Sequence, residues 1–314
     1  MRKIGILSTS SIAPRFIAAV REEGSFEVIA LSSRTQEKAE EKAKQWDIPR
    51  AYGSHEALLK DEEIDIVYIS AVNSAHYKWA KAALLAGKHV ICEKPCTTTE
   101  AQTRELFALA KEKNLFLMEA QKMLFLPAVL AAKQAIDQGR LGKIHMAEFN
   151  HSFYGSYNNW MYDEAAGGGP LLSSAIYVVE LLQFLFGCKI AQLGGTVTMH
   201  PGTNVEEQYA LSGRMENGVL FSLKNSTVAL LKNGAAIYGE KGYVELPDYW
   251  KARKVIFCDH TETVTEEYLC DYELRYEVAH IADCFHRGLL QSPVVTGEFS
   301  ASAIAALESV KAKW

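Results

Sequence analysis

Short apolar runs alternate with amphipathic segments along the first third of the chain. Ile4–Leu7 precedes the amphipathic stretch Ala13–Glu23, and Ile64–Ile69 precedes Ala75–Ala86. This alternation predicts a parallel sheet with helices on both faces, because parallel strands are joined by crossover helices. The run Ile66–Ile69 is apolar throughout, which is typical of a strand buried on both sides.

After about residue 120 the pattern changes to longer runs in which polar and apolar residues alternate, such as Gln208–Met215. The dipeptides Asn217-Gly218 and Asn233-Gly234 lie between such runs, and Asn-Gly is a strong hairpin signal. We therefore predict a parallel α/β domain over residues 1–119. An antiparallel or mixed sheet with a few helices is predicted over residues 120–314.

Net charge argues against one class of partner. Lys and Arg total 33 and Asp and Glu total 38, so the net charge of the 314 residues is −5. A chain of this charge repels polyanions, and we expect no nucleic-acid partner.

The cysteine spacing and the lengths of the apolar runs indicate the cellular compartment and whether the chain binds a membrane or a metal. The six cysteines show no regular spacing, and Ile4–Leu7 is too short for a signal sequence, so we expect reduced thiols and a cytoplasmic protein. Ile176–Cys188 is interrupted by polar residues, and we expect no membrane partner. Cys92 and Cys96 lack a second cysteine pair, and we expect no metal site.

The loop after the first strand is where an α/β sheet holds a dinucleotide phosphate, against a helix N-terminus. The positions of the G-x-G-x-x-G/A pattern here read Ser8-Thr9-Ser10-Ser11-Ile12-Ala13. Serine lacks the conformational freedom of glycine, but its hydroxyl can bond a phosphate oxygen. From this loop alone, cofactor binding and an ordinary strand–helix turn both stay open.

The end of the second strand reads Ser32-Ser33-Arg34, with Lys38 one turn later and no acidic residue for a ribose 2′-hydroxyl. A guanidinium beside a hydroxyl suits a 2′-phosphate, although an ordinary surface arginine explains the same residues.

Lys94 stands at the end of another buried strand, in Glu93-Lys94-Pro95. Because Pro95 stops the strand, the Lys94 ammonium is expected to project from the carboxyl edge of the sheet, where ligands bind. A lysine there can take part in proton transfer or polarise a hydroxyl or carbonyl oxygen.

Several motifs resemble the glucose–fructose oxidoreductase / inositol dehydrogenase family. They read A-G-K-H-V-I-C-E-K-P at 86–95, I-S-A-V-N-S-A-H at 69–76, M-E-A at 118–120, G-G-G-P-L-L at 167–172 and Y-E-V-A-H at 276–280. Tyr177 makes the chain most similar to the dihydrodiol and D-xylose dehydrogenase branch, which has tyrosine where many members have histidine.

This resemblance implies a Rossmann-type, doubly wound dinucleotide-binding domain at 1–119. It also implies an α+β domain at 120–314 whose large, open, mostly antiparallel sheet holds the substrate and forms the dimer. Lys94 and Tyr177 would be the catalytic residues. The cofactor-binding residues would be Ser8, Ser10, Ser11, Ile12, Ala13, Ser33, Arg34, Lys38, Ala71, Asn73, His76, Glu93, Lys94 and Pro95.

The predicted substrate contacts are Lys94, Ser173, Tyr177, Tyr154 and Trp160. Ser173, Tyr177 and Glu180 are spaced i, i+4, i+7 and so share one face of a predicted helix, which can face a cleft. Tyr154 and Trp160 belong to an aromatic cluster before the glycine run. Stacking on a sugar ring and packing in the core or in a dimer are both open for that cluster.

The resemblance implies an NADP-dependent oxidoreductase, with NAD as the alternative cofactor. It would transfer a hydride between nicotinamide and a carbinol carbon of a sugar, polyol or vicinal diol, as a homodimer or higher homo-oligomer. Three features depart from the family pattern: the serines at 8 and 10, Ser173 in place of the usual Asp, and Leu124 where the branch often has arginine. They motivate the alternative of a non-catalytic regulatory member that binds nucleotide or sugar.

Overall fold

The computed structural model describes residues 1–153 and 159–314, which divide into two compact units. The first unit contains Met1–Gln121 and Tyr272–Ala301, and the second contains Lys122–Asp271 and Ser302–Trp314.

The first unit has a six-stranded sheet of order β3-β2-β1-β4-β5-β6 in which every pair is parallel. Its strands are β1 (Arg2–Leu7), β2 (Phe26–Ser32), β3 (Arg50–Tyr52), β4 (Ile66–Ile69), β5 (His89–Glu93) and β6 (Leu117–Ala120). Its helices are α1 (Ala13–Glu23), α2 (Gln36–Trp46), α3 (His55–Leu59), α4 (His76–Leu85), α5 (Glu100–Glu112) and α8 (Arg275–His286). The parallel sheet predicted from the alternation is confirmed, and all four residues of β4 are buried.

Strand register determines which residues share the ligand-binding edge of this sheet. Leu7 pairs with Ser32 on one side and with Ile69 on the other, and Ile69 pairs with Cys92. The strand order reverses between β1 and β4, and α/β proteins bind ligands at such a switch point, outside the carboxyl ends of the strands. The loops after β1, β2, β4 and β5 therefore meet at one edge.

The segment Tyr272–Ala301 packs with the first unit, although the sequence assigns it to the domain at 120–314. Phe285 of α8 contacts the rings of Phe26 and Phe116. Two ion pairs, Arg275–Glu22 and Arg15–Glu273, join this segment to α1. The change of pattern near residue 119 could not reveal this return, because it depends on contacts distant in sequence.

The second unit has an eight-stranded, mostly antiparallel sheet of order β14-β13-β12-β11-β7-β10-β9-β8, in which only the β7–β10 pair is parallel. Its strands are β7 (Ile144–Ser152), β8 (Ile190–Met199), β9 (Glu206–Met215), β10 (Leu220–Ser226), β11 (Gly234–Gly239), β12 (Gly242–Pro247), β13 (Lys254–Asp259) and β14 (Thr263–Glu267). Helices α6 (Pro127–Asp137) and α7 (Ile176–Phe186) belong to this unit, and α9 (Gly297–Lys311) follows α8 in the chain. The predicted sheet type is confirmed.

One of the two predicted Asn-Gly hairpins is present. Asn217-Gly218 joins the antiparallel pair β9 and β10, and Gly218 has a φ of 93°. Asn233-Gly234 makes no hairpin, since β11 pairs with β7 and β12. The Asn233 side chain instead accepts hydrogen bonds from the backbone and hydroxyl of Ser152, which anchors the start of β11 beside β7.

Among the described residues, the helical stretch Glu164–Phe186 is long and apolar enough to span a membrane by length and composition. Of its most apolar window, 83% is buried inside the protein. A helix buried in the core of a soluble protein meets the same criteria of length and composition, so they are weak evidence for a membrane span.

Candidate active site

The loop after β1 takes a glycine-like backbone conformation at one of its serines. Ser8 takes a φ of 86°, the left-handed conformation that glycine adopts without strain. The Ser10 hydroxyl is buried and has no hydrogen-bond partner among the described residues. Helix α1 then begins at Ala13 without a side-chain cap. A buried, unsatisfied hydroxyl next to an uncapped helix N-terminus suits a phosphate oxygen.

The loop after β4 adds a second buried hydroxyl that the sequence analysis did not single out. The Ser70 backbone N–H donates to the Leu7 carbonyl oxygen (3.1 Å), which places Ser70 beside the end of β1. Its hydroxyl is buried and lacks a hydrogen-bond partner within the described part of the chain. Asn73 is buried in the same loop, and Ala71 is partly exposed. Orphaned hydroxyls after two adjacent strands fit a dinucleotide at the switch point.

The loop after β2 presents two cations. Ser33 is buried, whereas Arg34 and Lys38 are exposed and form no side-chain hydrogen bond or ion pair with other described residues. Thr35 caps α2 by accepting the Lys38 backbone N–H. Burial lowers the pKa of His55, and the Arg34 charge lowers it further. The arrangement suits an anion such as a 2′-phosphate.

Lys94 follows β5 directly and is partly exposed. Two residues near it, Glu93 and Cys96, are hydrogen-bonded to buried side chains. The Tyr68 hydroxyl donates to the Glu93 carboxylate (2.5 Å), and the Cys96 backbone N–H donates to the Glu119 carboxylate (2.8 Å). The peptide bond between Lys94 and Pro95 is cis. The lysine therefore lies in a firmly bonded segment of the carboxyl edge.

His76 lies between the loop after β4 and the loop after β5. Its Nδ1 lies 2.8 Å from the Pro95 carbonyl oxygen, and its Nε2 lies 3.0 Å from the Ala71 carbonyl oxygen. Burial lowers the pKa of the imidazole, while both carbonyl contacts raise it. A neutral imidazole has one N–H and donates to one of these two carbonyl oxygens, while the other contact is a close approach. His76 thus lies between the β4 and β5 loops and bonds one of them. Its predicted cofactor contact stays a prediction.

In the second unit, Ser173 and Tyr177 lie at the start of the predicted helix. The first residues, Leu171–Ala175, form a π-helical turn, and α7 begins at Ile176. Ser173 is buried and its hydroxyl donates to the Gly169 carbonyl oxygen (2.7 Å), whereas Tyr177 is partly exposed. Glu180, the third member of the predicted polar stripe, is fully buried. Tyr177 is therefore the most accessible of the three.

A buried network supports this helix start and was missed by the sequence analysis. Ser174 Oγ lies 2.6 Å from His151 Nδ1 on β7 and accepts a hydrogen bond from the Asn225 side-chain amide on β10 (2.9 Å). The His151 ring stacks on Trp250 (centroids 3.8 Å apart). The sequence carried no signal for it, because its members come from distant elements.

The predicted aromatic cluster has mixed outcomes. Phe153 packs against the His151 ring, and Tyr162 stacks on His200. Trp160 is partly exposed and stays a predicted substrate contact. Tyr154 lies outside the described residues.

Residues 1–153 and 159–314 contain no group of three or more His, Cys, Asp or Glu side chains that could hold a metal ion. The carboxyl edge of the first sheet, by contrast, fits a dinucleotide. It combines a helix N-terminus, two orphaned hydroxyls and two exposed cations.

Comparison with known proteins shows the family of the chain. Residues 2–121 match the GFO/IDH/MocA model described as an oxidoreductase family with an NAD-binding Rossmann fold, and residues 129–245 match the GFO/IDH/MocA C-terminal domain. A trans-1,2-dihydrobenzene-1,2-diol dehydrogenase from Mus musculus is 32% identical over 300 residues, covering 93% of this chain and 90% of the relative. The protein of the same name from Homo sapiens is 31% identical, with the same coverage of both chains.

Solved structures share the fold. An aldose-aldose oxidoreductase from Caulobacter crescentus superposes with a TM-score of 0.89 at 23% identity, covering 98% of this chain and 96% of that one. A 3-ketoreductase from Actinomadura kijaniata, crystallised with NADP, superposes with a TM-score of 0.88 at 22% identity, covering 99% and 96%. These matches confirm the resemblance seen in the sequence, and the chain is an oxidoreductase of the GFO/IDH/MocA family.

Proposed function

We propose that the protein is an NADP-dependent oxidoreductase that transfers a hydride between nicotinamide C4 and a carbinol carbon of a sugar, polyol or vicinal diol. The observation that carries this proposal is the carboxyl edge of the first sheet. Among the described residues, the hydroxyls of Ser10 and Ser70 and the cations of Arg34 and Lys38 have no side-chain partner there. The names of the relatives, diol dehydrogenases and a ketoreductase crystallised with NADP, support the same reaction class.

The proposed cofactor contacts follow the loops of that edge. The pyrophosphate is held by the loop of Ser8, Ser10, Ser11, Ile12 and Ala13, and the 2′-phosphate by Ser33, Arg34 and Lys38. Ala71, Asn73, His76, Glu93, Lys94 and Pro95 are the proposed contacts on the nicotinamide side. When bound, the nicotinamide supplies the site that accepts or releases the hydride.

The substrate oxygen is handled by Lys94 and Tyr177 in this proposal. An alcohol carbon releases hydride only when its oxygen loses its proton or is polarised. Tyr177 exchanges that proton, and the Lys94 ammonium stabilises negative charge on the oxygen. Ser173, Tyr154 and Trp160 are the proposed further substrate contacts.

The first experiment is a pair of fluorescence titrations with NADPH and NADH, followed by turnover on a panel of aldoses, polyols and diols. We expect tighter binding of NADPH and reduction of NADP by members of the panel. Lys94→Ala should keep NADPH binding and lose most turnover. Full activity of Lys94→Ala would refute the role of the lysine, and absence of binding and turnover would favour a regulatory member.

A homodimer in the cytoplasm completes the proposal. Met146 and Leu220 are neighbours on β7 and β10, and both are 48% exposed. Tyr238 on β11 pairs with Met146 from the other side. An exposed apolar patch on a sheet face is typical of an interface. Light scattering should give twice the monomer mass, and Met146→Glu with Leu220→Lys should reduce it to that of a monomer.

A further inference from the structure

We propose that Tyr68, His76 and Glu119 form a buried frame that positions Lys94 for its reaction. This inference rests on the proposed function, in which Lys94 acts on the substrate oxygen. The three side chains come from β4, the first turn of α4 and β6, and each bonds a different residue beside Lys94.

Tyr68 fixes the residue before the lysine. Its hydroxyl donates to Glu93 at 2.5 Å, and its side chain is 0% exposed. Burial and the Glu93 charge raise the pKa of this phenol well above its usual range, so it stays a donor. The ring stacks face to face on Phe16, with centroids 3.7 Å apart and planes 3° from parallel. Phe16 lies in the first turns of α1, directly after the phosphate loop, so this loop and Glu93 share one rigid support.

His76 and Glu119 fix the two residues after the lysine. His76 lies against the Pro95 carbonyl oxygen, and its second nitrogen lies against Ala71. Glu119, which is 1% exposed, accepts the Cys96 backbone N–H at 2.8 Å. The contacts to Pro95 and Cys96 are buried in the first unit, where solvent competes little with them.

The consequence is that the backbone of Lys94 is held on both sides while the lysine itself is partly exposed. A long, flexible side chain gains catalytic precision when its base is rigid, and small misplacements of a reacting group reduce rates strongly. Tyr68, His76 and Glu119 are therefore positioning residues. They would act on turnover without touching the reacting atoms.

The test uses Tyr68→Phe, which keeps the ring stacked on Phe16 and removes one hydroxyl. Tyr77→Phe is the matched control, because Tyr77 donates a similar bond to Glu105 (2.7 Å) on the exposed side of the same unit. We expect kcat of Tyr68→Phe on the best diol or sugar to fall about 10- to 100-fold. KM, the NADPH dissociation constant and all values for Tyr77→Phe should change by less than about threefold.

Glu119 offers a rescue comparison. Glu119→Gln keeps an oxygen that accepts the Cys96 N–H, and its kcat should stay within about threefold of wild type. Glu119→Leu removes the acceptor, and its kcat should fall as for Tyr68→Phe. If Tyr68→Phe and Glu119→Leu lose thermal stability but keep kcat per folded molecule, these residues are merely structural and the frame is refuted.

A second readout needs no substrate. The rate at which acetic anhydride acetylates Lys94, followed by peptide mass spectrometry, should change by more than about threefold in Tyr68→Phe and stay constant in Tyr77→Phe. An unchanged rate in Tyr68→Phe would overturn the frame.

Lys94→Ala separates the two proposals. If Lys94→Ala is inactive while Tyr68→Phe has the kcat of wild type, only the frame is refuted. If Lys94→Ala is fully active, the proposed role of Lys94 is refuted, and the acetylation rate of Lys94 then remains the test of the frame.

Discussion

Replacing Arg34 with alanine should change the preference between the two nicotinamide cofactors. Arg34 lies at the carboxyl end of β2, is exposed, and has no ion pair with any described residue, so its charge is available to a ligand. Since NADPH and NADH differ only by the 2′-phosphate, the loss should appear for NADPH alone.

The size of the loss follows from the exposure of the guanidinium. A charge-assisted hydrogen bond contributes about 1.5–3 kcal/mol, and solvent screening favours the lower part of that range. A loss of about 1.5–2 kcal/mol corresponds to about 10- to 30-fold weaker NADPH binding, because 1.4 kcal/mol is a factor of ten. Arg34→Lys keeps the charge without the planar fork and should fall in between.

Fluorescence titration of wild type, Arg34→Ala and Arg34→Lys with both cofactors measures this directly. Arg253→Ala removes an exposed arginine from the second unit and controls for net charge. Added salt should weaken NADPH binding to wild type more than to Arg34→Ala. An equal loss for NADH, or an NADPH affinity as high as that of wild type, would refute the assignment of Arg34 to the 2′-phosphate.

Three further predictions concern the second unit. Burial raises the pKa of Glu206 above its ordinary 4.5, so the folded state binds the proton more tightly and stability falls as pH rises from 4.5 towards the raised pKa. Glu206→Gln should flatten this dependence in denaturant titrations across pH, and an unchanged profile would contradict the assignment. Gly169→Ala should lower the free energy of unfolding by more than about 2 kcal/mol, because the added Cβ would overlap the Glu206 carboxylate. Gly187→Ala is the control: its Cβ would meet no atom, so only the left-handed backbone is penalised, by about 1 kcal/mol. Ser174→Ala removes the hydroxyl that bonds His151 and Asn225 and should cost about 1–3 kcal/mol in the same assay, with a loss near zero counting against the network.

The parallel sheet and the position of Lys94 were predictable, because both depend on local pattern. Apolar runs such as Ile66–Ile69 identify strands, and Pro95 marks where a strand must stop. At the loop of Ser8 the motif left cofactor binding and an ordinary turn both open, and it could not show that the serine takes the left-handed backbone usually given to glycine.

The remaining features depend on contacts between distant residues. The cofactor contact of His76 stays a prediction, and the local pattern could not show that its ring nitrogens lie against the Pro95 and Ala71 carbonyl oxygens. Ser70 gave no signal, because a serine after a strand is ordinary until its neighbours in space are known. Asn233-Gly234 is a local hairpin signal, but no hairpin forms there, and the Asn233 side chain bonds Ser152 on β7 instead.

The discontinuous make-up of the first unit determines the order in which the chain can fold as it leaves the ribosome. By the time Gln121 is synthesised, all six strands of the first sheet exist, but Phe26 and Phe116 still lack the Phe285 ring that packs on them. That ring is synthesised only after Lys122–Asp271, the larger part of the second unit, has been made. The nascent nucleotide-binding sheet thus has an apolar surface that stays uncovered for most of translation. Chaperone capture and proteolysis during synthesis should concentrate there.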